Sequence, residues 1–264
     1  MLDVRNLGKR YSSQHHDASP WVIKDLTFSV AEGEFLTIVG PSGAGKTTLL
    51  NVLAQIDAAT SGEIRFLSDR IPVGDGAALD PGLSCRVGYV TQDDNLLPWR
   101  TTIDNVLLPL EVQKRLTPET RAYARALVRA VGLGGFEHYY PHQLSGGMRK
   151  RAALIRTLVY DPPIILMDEP FSAVDAETRT VLQEDLLKLW DLGRKTIVFV
   201  THDIAEAIAL GDRTLVLTPA PTQVRAEYRI PMSRPRDIRG IVMDPTFQEM
   251  NRAIRADVQP ACPI

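Results

Sequence analysis

The residues best suited to chemistry form a glycine-rich run between an apolar stretch, 35–39, and a helix-like stretch, 49–54. The run matches the pattern G-x-x-x-x-G-K-[ST] and reads Gly40, Pro41, Ser42, Gly43, Ala44, Gly45, Lys46, Thr47 and Thr48. Glycines let backbone N–H groups surround a phosphate, and the following helix adds the positive end of its dipole. Lys46 would contact the β- and γ-phosphates, and the hydroxyl of Thr47 would bind Mg²⁺. The alternative is a turn that only joins a strand to a helix, but the flanking order favours nucleotide binding.

Composition limits the class of protein. The chain has 264 residues, with 30 basic and 32 acidic side chains and a formal net charge of −2. No positive field is expected to attract nucleic acid, so no nucleic-acid partner is predicted. No stretch approaches the ~20 apolar residues of a membrane-spanning helix, and the N-terminus lacks the apolar core of a signal peptide. Two distant cysteines, Cys85 and Cys262, predict no disulfide framework and favour the cytosol.

Apolar periodicity predicts an alternation of strands and helices, as in an α/β protein. Strands are predicted over 2–7, 22–30, 35–39, 62–66, 87–90, 164–167, 196–200, 213–217 and 224–230. Helices are predicted from Lys46 and over 102–113, 118–131, 146–160, 176–190, 204–210 and 245–255. Segment 68–82, rich in Gly, Pro and Asp, is predicted to be a loop. The helices between 102 and 160 suggest a helical subdomain inserted between strands, although plain crossover helices fit the same pattern.

Polar side chains follow several of these strands, at the edge where open α/β sheets bind ligands. The amide oxygen of Gln92 could bind a metal or a water, although an ordinary surface glutamine is the alternative. Asp168 is placed to hold Mg²⁺, and Glu169 is the candidate general base for an attacking water. An acidic pair is often only a solvated turn, but the apolar run 164–167 leading into it argues against that. His202 ends another strand at the same edge.

Two further features could bind a nucleotide. Ser145, Gly146, Gly147 and Met148 open a helix and form a second anion-binding helix terminus. Tyr11 could stack on an adenine ring, although a partly buried tyrosine at a strand end is the alternative. The polar loop 12–20 contains His15-His16, which we interpret as solvated because adjacent histidines point apart.

Together these motifs resemble the ATP-binding subunit of an ABC transporter, over residues 2–236. The matching segments are Walker A (40–47), the Gln92 loop, the signature (144–148), Walker B (164–169), the D-loop (172–175) and the switch histidine His202. The departures are Met148 in place of the commoner glutamine, Lys150 where a glutamine is expected, and Val174 where a leucine is expected.

The resemblance implies a fold and an organisation. It implies a P-loop NTPase (ABC ATPase) core with a mixed sheet, an antiparallel β subdomain and an inserted helical subdomain. The ATP-binding domain would span 1–236, with the helical subdomain at about 93–160. A C-terminal tail, 237–264, would carry a short helix.

The resemblance also implies roles for individual residues, with ATP and Mg²⁺ as cofactors. Lys46, Glu169 and His202 would be catalytic. Tyr11, residues 40–48 and Gln92 would bind ATP. Thr47, Gln92 and Asp168 would hold the metal. The ATP of a partner subunit would meet residues 145–148, next to the D-loop residue Asp175.

Four shorter segments narrow the resemblance to importers of nitrate, sulfonate, taurine and similar small molecules. It lies in segments 96–99, 104–106, 140–143 and 233–237. The expected assembly is an ATP-dependent, head-to-tail dimer, with itself or with a paralogous ATPase subunit. A membrane permease would dock near residues 93–106, at the cytoplasmic face of the inner membrane. A periplasmic or extracellular solute-binding protein would take part indirectly.

Two other functions fit some of the motifs. A soluble ABC-type ATPase, not coupled to transport, would use the same nucleotide site. Against it stand one nucleotide-binding core instead of two, no long coiled coil and no basic patch. A P-loop kinase for a small molecule would leave segment 144–148 unexplained. The transported solute is not encoded in these motifs, because the permease and the binding protein choose it.

Overall fold

The computed structural model describes residues 2–11, 20–67, 69–71 and 86–258. Two predictions, the solvated pair His15-His16 and the unpaired cysteines, lie outside these residues. So does most of the predicted loop 68–82. The chain divides into two compact units, the first formed by Met1–Ser84 and Arg194–Ile264 and the second by Cys85–Gly193. The domain boundaries expected from the resemblance remain a prediction.

The elements follow the predicted order. The strands are β1 (Leu2–Arg10), β2 (Trp21–Val30), β3 (Phe35–Val39), β4 (Ser61–Phe66), β5 (Asp69–Ile71), β6 (Val87–Val90), β7 (Ile164–Asp168), β8 (Thr196–Val200), β9 (Arg213–Leu217) and β10 (Val224–Arg229). The helices are α1 (Lys46–Leu53), α2 (Thr102–Val112), α3 (Pro118–Ala130), α4 (Gly146–Leu158), α5 (Ala176–Gly193), α6 (Ile204–Leu210) and α7 (Pro245–Val258). The predicted elements are confirmed, with ends that differ by a few residues. No helix in the described ranges is long and apolar enough to cross a membrane.

The first unit contains a mixed sheet with β3 at its centre. β3 pairs in parallel with β8 and β9, and β10 runs antiparallel to β9. Every residue of β3 and β8 is buried, which fits the continuous apolar runs expected of parallel strands covered on both faces. The rings of Phe35 and Phe199 lie with their centroids 6.0 Å apart in this core.

The same unit contains an antiparallel sheet in the order β2-β1-β4-β5. The prediction that 68–82 is entirely loop was wrong at β5, which pairs with β4 through Phe66 opposite Asp69 and Ile64 opposite Ile71. Leu67 has a φ of 57° and turns the chain between the two strands. The short hairpin depends on backbone hydrogen bonds, which a count of Gly, Pro and Asp residues does not show.

The second unit contains the parallel pair β6–β7 and helices α2 to α5. The buried side chains of α2, α3 and α4 form one cluster, which includes Leu110, Val128 and Ile155. The predicted start of α3 is confirmed, because Thr117 and Thr120 cap it reciprocally and Pro118 is the first helical residue. The unit therefore has its own apolar core beneath the helices.

Candidate nucleotide site

The glycine-rich run forms a tight loop between β3 and α1 in the first unit. Gly43 and Gly45 have φ values of +76° and +66°, in the left-handed region that favours glycine. The ammonium of Lys46 donates hydrogen bonds to the carbonyl oxygens of Gly40 (2.9 Å) and Pro41 (3.0 Å). The lysine side chain thus closes the loop across its base. The amides at the start of α1 have no acceptors within the helix and can bind an anion.

Gly45 is required by its surroundings as well as by its backbone. A Cβ at this position would lie 2.9 Å from Cγ1 of Val22 and 3.0 Å from Oγ1 of Thr222. The buried hydroxyl of Thr222 lies 2.7 Å from the carbonyl oxygen of Ala44 and 2.8 Å from that of Val22. The loop is therefore held against β2 from behind. A Cβ at Gly43, by contrast, would meet none of the described atoms beyond its neighbours within 4 Å.

We expect Gly45→Ala to weaken ATP binding and lower the melting temperature more than Gly43→Ala does. Both substitutions place an alanine in the left-handed region, which costs about 1–2 kcal/mol. Only Gly45→Ala adds a collision with β2. Thermal unfolding and ATP affinity of the two variants, measured side by side, check this. Equal effects would show that the loop is not held from behind as described.

Tyr11 lies beside this loop at the end of β1. Its hydroxyl donates to the carboxylate of Asp57 at 2.9 Å, and burial raises its pKa. The ammonium of Lys9 lies 4.6 Å from the ring centroid and donates to the carbonyl of Ala58 at 2.7 Å. The tyrosine side chain is still 47% exposed. A ring held in place and partly open to solvent could stack on a base.

His202 follows β8 and leaves the sheet at the edge where the glycine-rich loop follows β3. The two strands are parallel, and the amide of Thr201 donates to the carbonyl of Ile38 at 3.1 Å. Asp203 caps α6, because its carboxylate accepts from the amide of Ala205 at 2.9 Å. The exposed histidine is therefore fixed by a strand on one side and a helix start on the other.

The second unit brings Gln92, Asp168 and Glu169 to one edge of the β6–β7 pair, where Val90 lies opposite Met167. Gln92 is exposed and Asp168 is 8% exposed. The pKa of the neighbouring Tyr89 is raised, first by burial and then by the charge of Asp168.

Glu169 has a φ of 43°, which is unusual for a residue with a side chain. Its carbonyl accepts hydrogen bonds from the amide (3.2 Å) and the hydroxyl (2.9 Å) of Ser172. These bonds hold the turn that follows β7. The backbone that carries the Glu169 side chain is therefore constrained.

The signature segment forms the start of α4, in the same unit. Ser145 caps the helix, and its Oγ accepts from the amide of Met148 at 3.3 Å. A Cβ on Gly147 would lie 2.6 Å from Cγ2 of Thr178, whereas one on Gly146 would meet none of the described atoms within 4 Å. The helix therefore presents Ser145 and Gly146 outward and packs Gly147 inward.

Asp175 has a structural role that the motif comparison did not anticipate. Its carboxylate accepts from the amide (2.9 Å) and the hydroxyl (2.7 Å) of Thr178, at the start of α5. The backbone bond from Thr178, followed by the bond from its side chain, lowers the pKa of Asp175. The D-loop and the signature thus meet at Thr178, since Gly147 also packs there. An acid three residues before a threonine at a helix start is a capping signal that sequence reasoning could have used.

Asn105, part of the segment 104–106 noted above, has a structural role that sequence reasoning missed. It is fully buried in α2, where its Oδ1 accepts from the amide of Leu97 at 2.7 Å. Its Nδ2 lies within 3.1 Å of the carbonyl oxygens of Leu97, Arg100 and Thr101. An asparagine inside a helix is uncommon and could have signalled a specific partner.

The segment held by Asn105 contains the residues expected to meet a permease. Leu96 is 7% exposed and belongs to the core cluster of the unit, so it is a core residue and does not offer a docking surface. Trp99 is 71% exposed, whereas tryptophan side chains are highly buried on average.

The chain matches a known family over more than half of its length. The model for the ABC transporter matches residues 23–172 of 264. The chain belongs to the ABC transporter family. It is therefore an ABC transporter ATPase, a subunit that binds ATP and couples its hydrolysis to transport. The fold agrees with this family, with a mixed sheet, an antiparallel sheet and several helices.

Several relatives in this family resemble the chain along most of its length. An ABC transporter ATP-binding protein of Methanocaldococcus jannaschii is 43% identical over 89% of this chain and 84% of the relative. The taurine import ATP-binding protein TauB of Yersinia pestis is 40% identical over 85% of this chain and 82% of that protein. The aliphatic sulfonates import ATP-binding protein SsuB of Bacillus cereus is 34% identical over 96% of this chain and 94% of that protein.

Solved structures give the same assignment. A dimeric ATP-binding cassette in a post-hydrolysis state, bound to ADP and Pi, has a TM-score of 0.75 and is 33% identical. The match covers 88% of this chain and 100% of that chain. A second dimeric structure, of a bacterial ABC transporter cassette, has a TM-score of 0.73 and is 32% identical.

Proposed function

We propose that this chain is the ATP-hydrolysing subunit of an importer for a small solute such as taurine, an aliphatic sulfonate or nitrate. The observation that carries the proposal is the 40% identity to a taurine import protein over 85% of this chain. The 34% identity to a sulfonate import protein over 96% of this chain supports the same class of solute. The proposed location is the cytoplasmic face of the membrane, where the chain would bind a permease.

In the proposed reaction, Lys46 and residues 40–48 bind the phosphates of ATP while Tyr11 stacks on adenine. Glu169 orients the attacking water and accepts its proton, and His202 stabilises charge that develops on the γ-phosphoryl group. Of the proposed catalytic residues, Glu169 and His202 follow strands whose ends are fixed by hydrogen bonds, which suits precise positioning.

The residues proposed for Mg²⁺ are Thr47, Gln92 and Asp168. They offer a hydroxyl, an amide oxygen and a carboxylate, and hard oxygen donors are the ligands that Mg²⁺ prefers. Bound Mg²⁺ would neutralise negative charge on the β- and γ-phosphates. The exposure of Thr47 and Gln92 to solvent fits ligands that share their metal with water and a phosphate.

A head-to-tail dimer completes the proposal. Each ATP would lie between residues 40–47 of one subunit and residues 145–148 of its partner. The proposal is supported by the exposure of Ser145 and Gly146 at the start of α4, because the first amides of a helix lack acceptors within it. The two solved relatives are themselves dimeric. The partner in the cell is either a second copy or a paralogous ATPase subunit.

The permease is proposed to dock on the segment around Trp99. We expect Trp99→Ala to weaken permease binding by about 2 kcal/mol or more, because aromatic anchors dominate many interfaces. ATP affinity of the free subunit should not change. The measurement is capture of the permease by the purified subunit, next to ATP binding. Tyr123→Ala is the matched control, since Tyr123 is also exposed (46%) but lies on α3, outside the segment.

Three outcomes separate the hypotheses. Loss of permease binding in Trp99→Ala alone supports the docking segment. Equal binding by the wild type and both variants places the permease elsewhere. If the wild-type chain does not bind the permease whose gene lies beside its own, the importer proposal fails. The soluble ABC-type ATPase is then favoured.

A further inference from the structure

Basic side chains of α4 hold the loop that contains Gln92. Lys150 donates to the carbonyl oxygen of Gln92, and Arg149 donates to the carboxylate of Asp94 at 3.0 Å. Arg156 donates to the carbonyl oxygens of Asp94 (2.8 Å) and Asn95 (2.7 Å). We call residues 92–95 the glutamine loop and Arg149, Lys150 and Arg156 the basic clamp. The clamp reaches this loop from a helix more than fifty positions away in the chain.

The placement of these cations does not serve the helix itself. Arg149, Lys150 and Arg151 lie in the first two turns of α4, near the positive end of its dipole, and the first turn carries no acidic residue. Each cation is compensated by an acceptor outside the helix. Arg151 pairs with Asp185 at 3.1 Å, whereas the other two reach the glutamine loop.

Lys150 is the member of the clamp that departs from the family pattern, which has a glutamine at this position. Its side chain is half-buried, and burial lowers its pKa while Asp94 and Asp93 act in the opposite direction. An ammonium makes a stronger hydrogen bond to a carbonyl than an amide does. The bond from Lys150 therefore fixes the backbone of Gln92 from one side, and the side chain of Gln92 extends from that fixed point.

The clamp also reaches the signature. Besides Asp94, the guanidinium of Arg149 donates to the carbonyl of Leu144, the residue before Ser145, at 2.9 Å. One side chain thus joins the glutamine loop to the residue that precedes the helix cap. The loop and the start of α4 are therefore linked through direct hydrogen bonds.

We propose that Lys150 is a positioning residue, which with Arg149 and Arg156 holds the glutamine loop so that Gln92 is ready to bind Mg²⁺ and ATP. The proposal rests on the function proposed above for Gln92. It assigns a role to a lysine that makes no contact with nucleotide in that scheme. It also predicts that the loop moves together with the start of α4.

Lys150→Met removes the donor and keeps most of the length of the side chain. We expect hydrogen exchange of the peptide covering 91–97 to become about tenfold faster, in line with the loss of one charge-assisted hydrogen bond. The Mg²⁺ concentration that half-saturates ATP hydrolysis should rise by a similar factor, with a smaller change in the maximal rate. Lys150→Gln, which keeps an N–H donor, should restore most of both properties.

Arg151→Met is the matched control, because it removes a neighbouring cation that pairs with Asp185 instead of the loop. It should lower the melting temperature and leave both the exchange of 91–97 and the Mg²⁺ requirement unchanged. Arg156→Met is the second test of the clamp, and it should increase exchange as Lys150→Met does. If Lys150→Met does not fold, Arg156→Met and Lys150→Gln test the role of the basic clamp instead.

The proposal is overturned if the exchange of 91–97 is the same in Lys150→Met, Arg156→Met and the wild type. It is also overturned if Arg151→Met raises the Mg²⁺ requirement as much as Lys150→Met does, since the effect would then come from helix charge alone. A wild-type chain that neither binds nor hydrolyses ATP would contradict the proposed function instead. The exchange measurement would still report on the clamp in that case.

Discussion

We expect Glu169→Gln to reduce ATP turnover by at least ~100-fold while ATP affinity stays unchanged. The amide has the shape of the carboxylate but cannot accept a proton from water. The turn that carries residue 169 depends on its carbonyl, which accepts from Ser172, so the substitution leaves the backbone in place. Steady-state hydrolysis and ATP binding by the purified variant check this. Glu184→Gln, a second carboxylate of the same unit on α5, is the control and should turn over at the wild-type rate.

The same variant tests the dimer. If ATP is bound between two subunits and cannot be hydrolysed, the pair should persist, and light scattering should show a doubling of mass with saturating ATP and Mg²⁺. An unchanged mass would speak against the head-to-tail arrangement of the isolated chain. Turnover near the wild-type rate would show that Glu169 is not the base.

The second large effect concerns stability. We expect Asn105→Leu to lower the free energy of unfolding by about 3 kcal/mol, because it removes the partner of one buried amide and of several carbonyl groups. The side chain of Asn105 is fully buried, so water cannot replace these bonds without opening the helix. Urea unfolding of the variant and the wild type gives the difference. Permease binding should also weaken, because Leu97 and Arg100 flank the proposed anchor.

Gln113→Leu is the control for this prediction. Gln113 ends the same helix but is only partly buried. Its Oε1 accepts a hydrogen bond from the guanidinium of Arg115, which is exposed. Its replacement should change the free energy of unfolding by less than about 0.5 kcal/mol. If the two variants lose similar amounts of stability, the hydrogen bonds of Asn105 do not hold the segment in the way that the distances indicate.

The main elements could be predicted because their signals are local. The buried strands β3, β7 and β8 are short, continuous apolar runs, and the glycine-rich loop follows one of them directly. The parallel pairing of β3 with β8 then places the ends of both strands at one edge, which the α/β pattern already implies. The candidate site residues can therefore be identified from the sequence alone.

The connections between those residues could not be predicted, because they join distant parts of the chain. Lys150 meets Gln92 across 58 positions. Asn105 binds the backbone of a turn only eight positions away, but the sequence does not show which groups the side chain meets. In the sequence, Lys150 is only a departure from a motif, and Asn105 is one of several polar residues in α2. The packing of Gly147 on Thr178 could not be predicted either, because a glycine in the sequence does not indicate which neighbour leaves no room for a side chain.

The left-handed backbone at Glu169 has an evolutionary consequence. A glutamate held at a φ of 43° costs about 1 kcal/mol or more that glycine or asparagine would avoid. A laboratory selection for heat resistance alone, with no demand for ATP turnover, should therefore enrich glycine or asparagine at this position. Selection for growth on the imported solute should retain glutamate. The residue found at position 169 would then show whether a population was selected for heat resistance or for solute import.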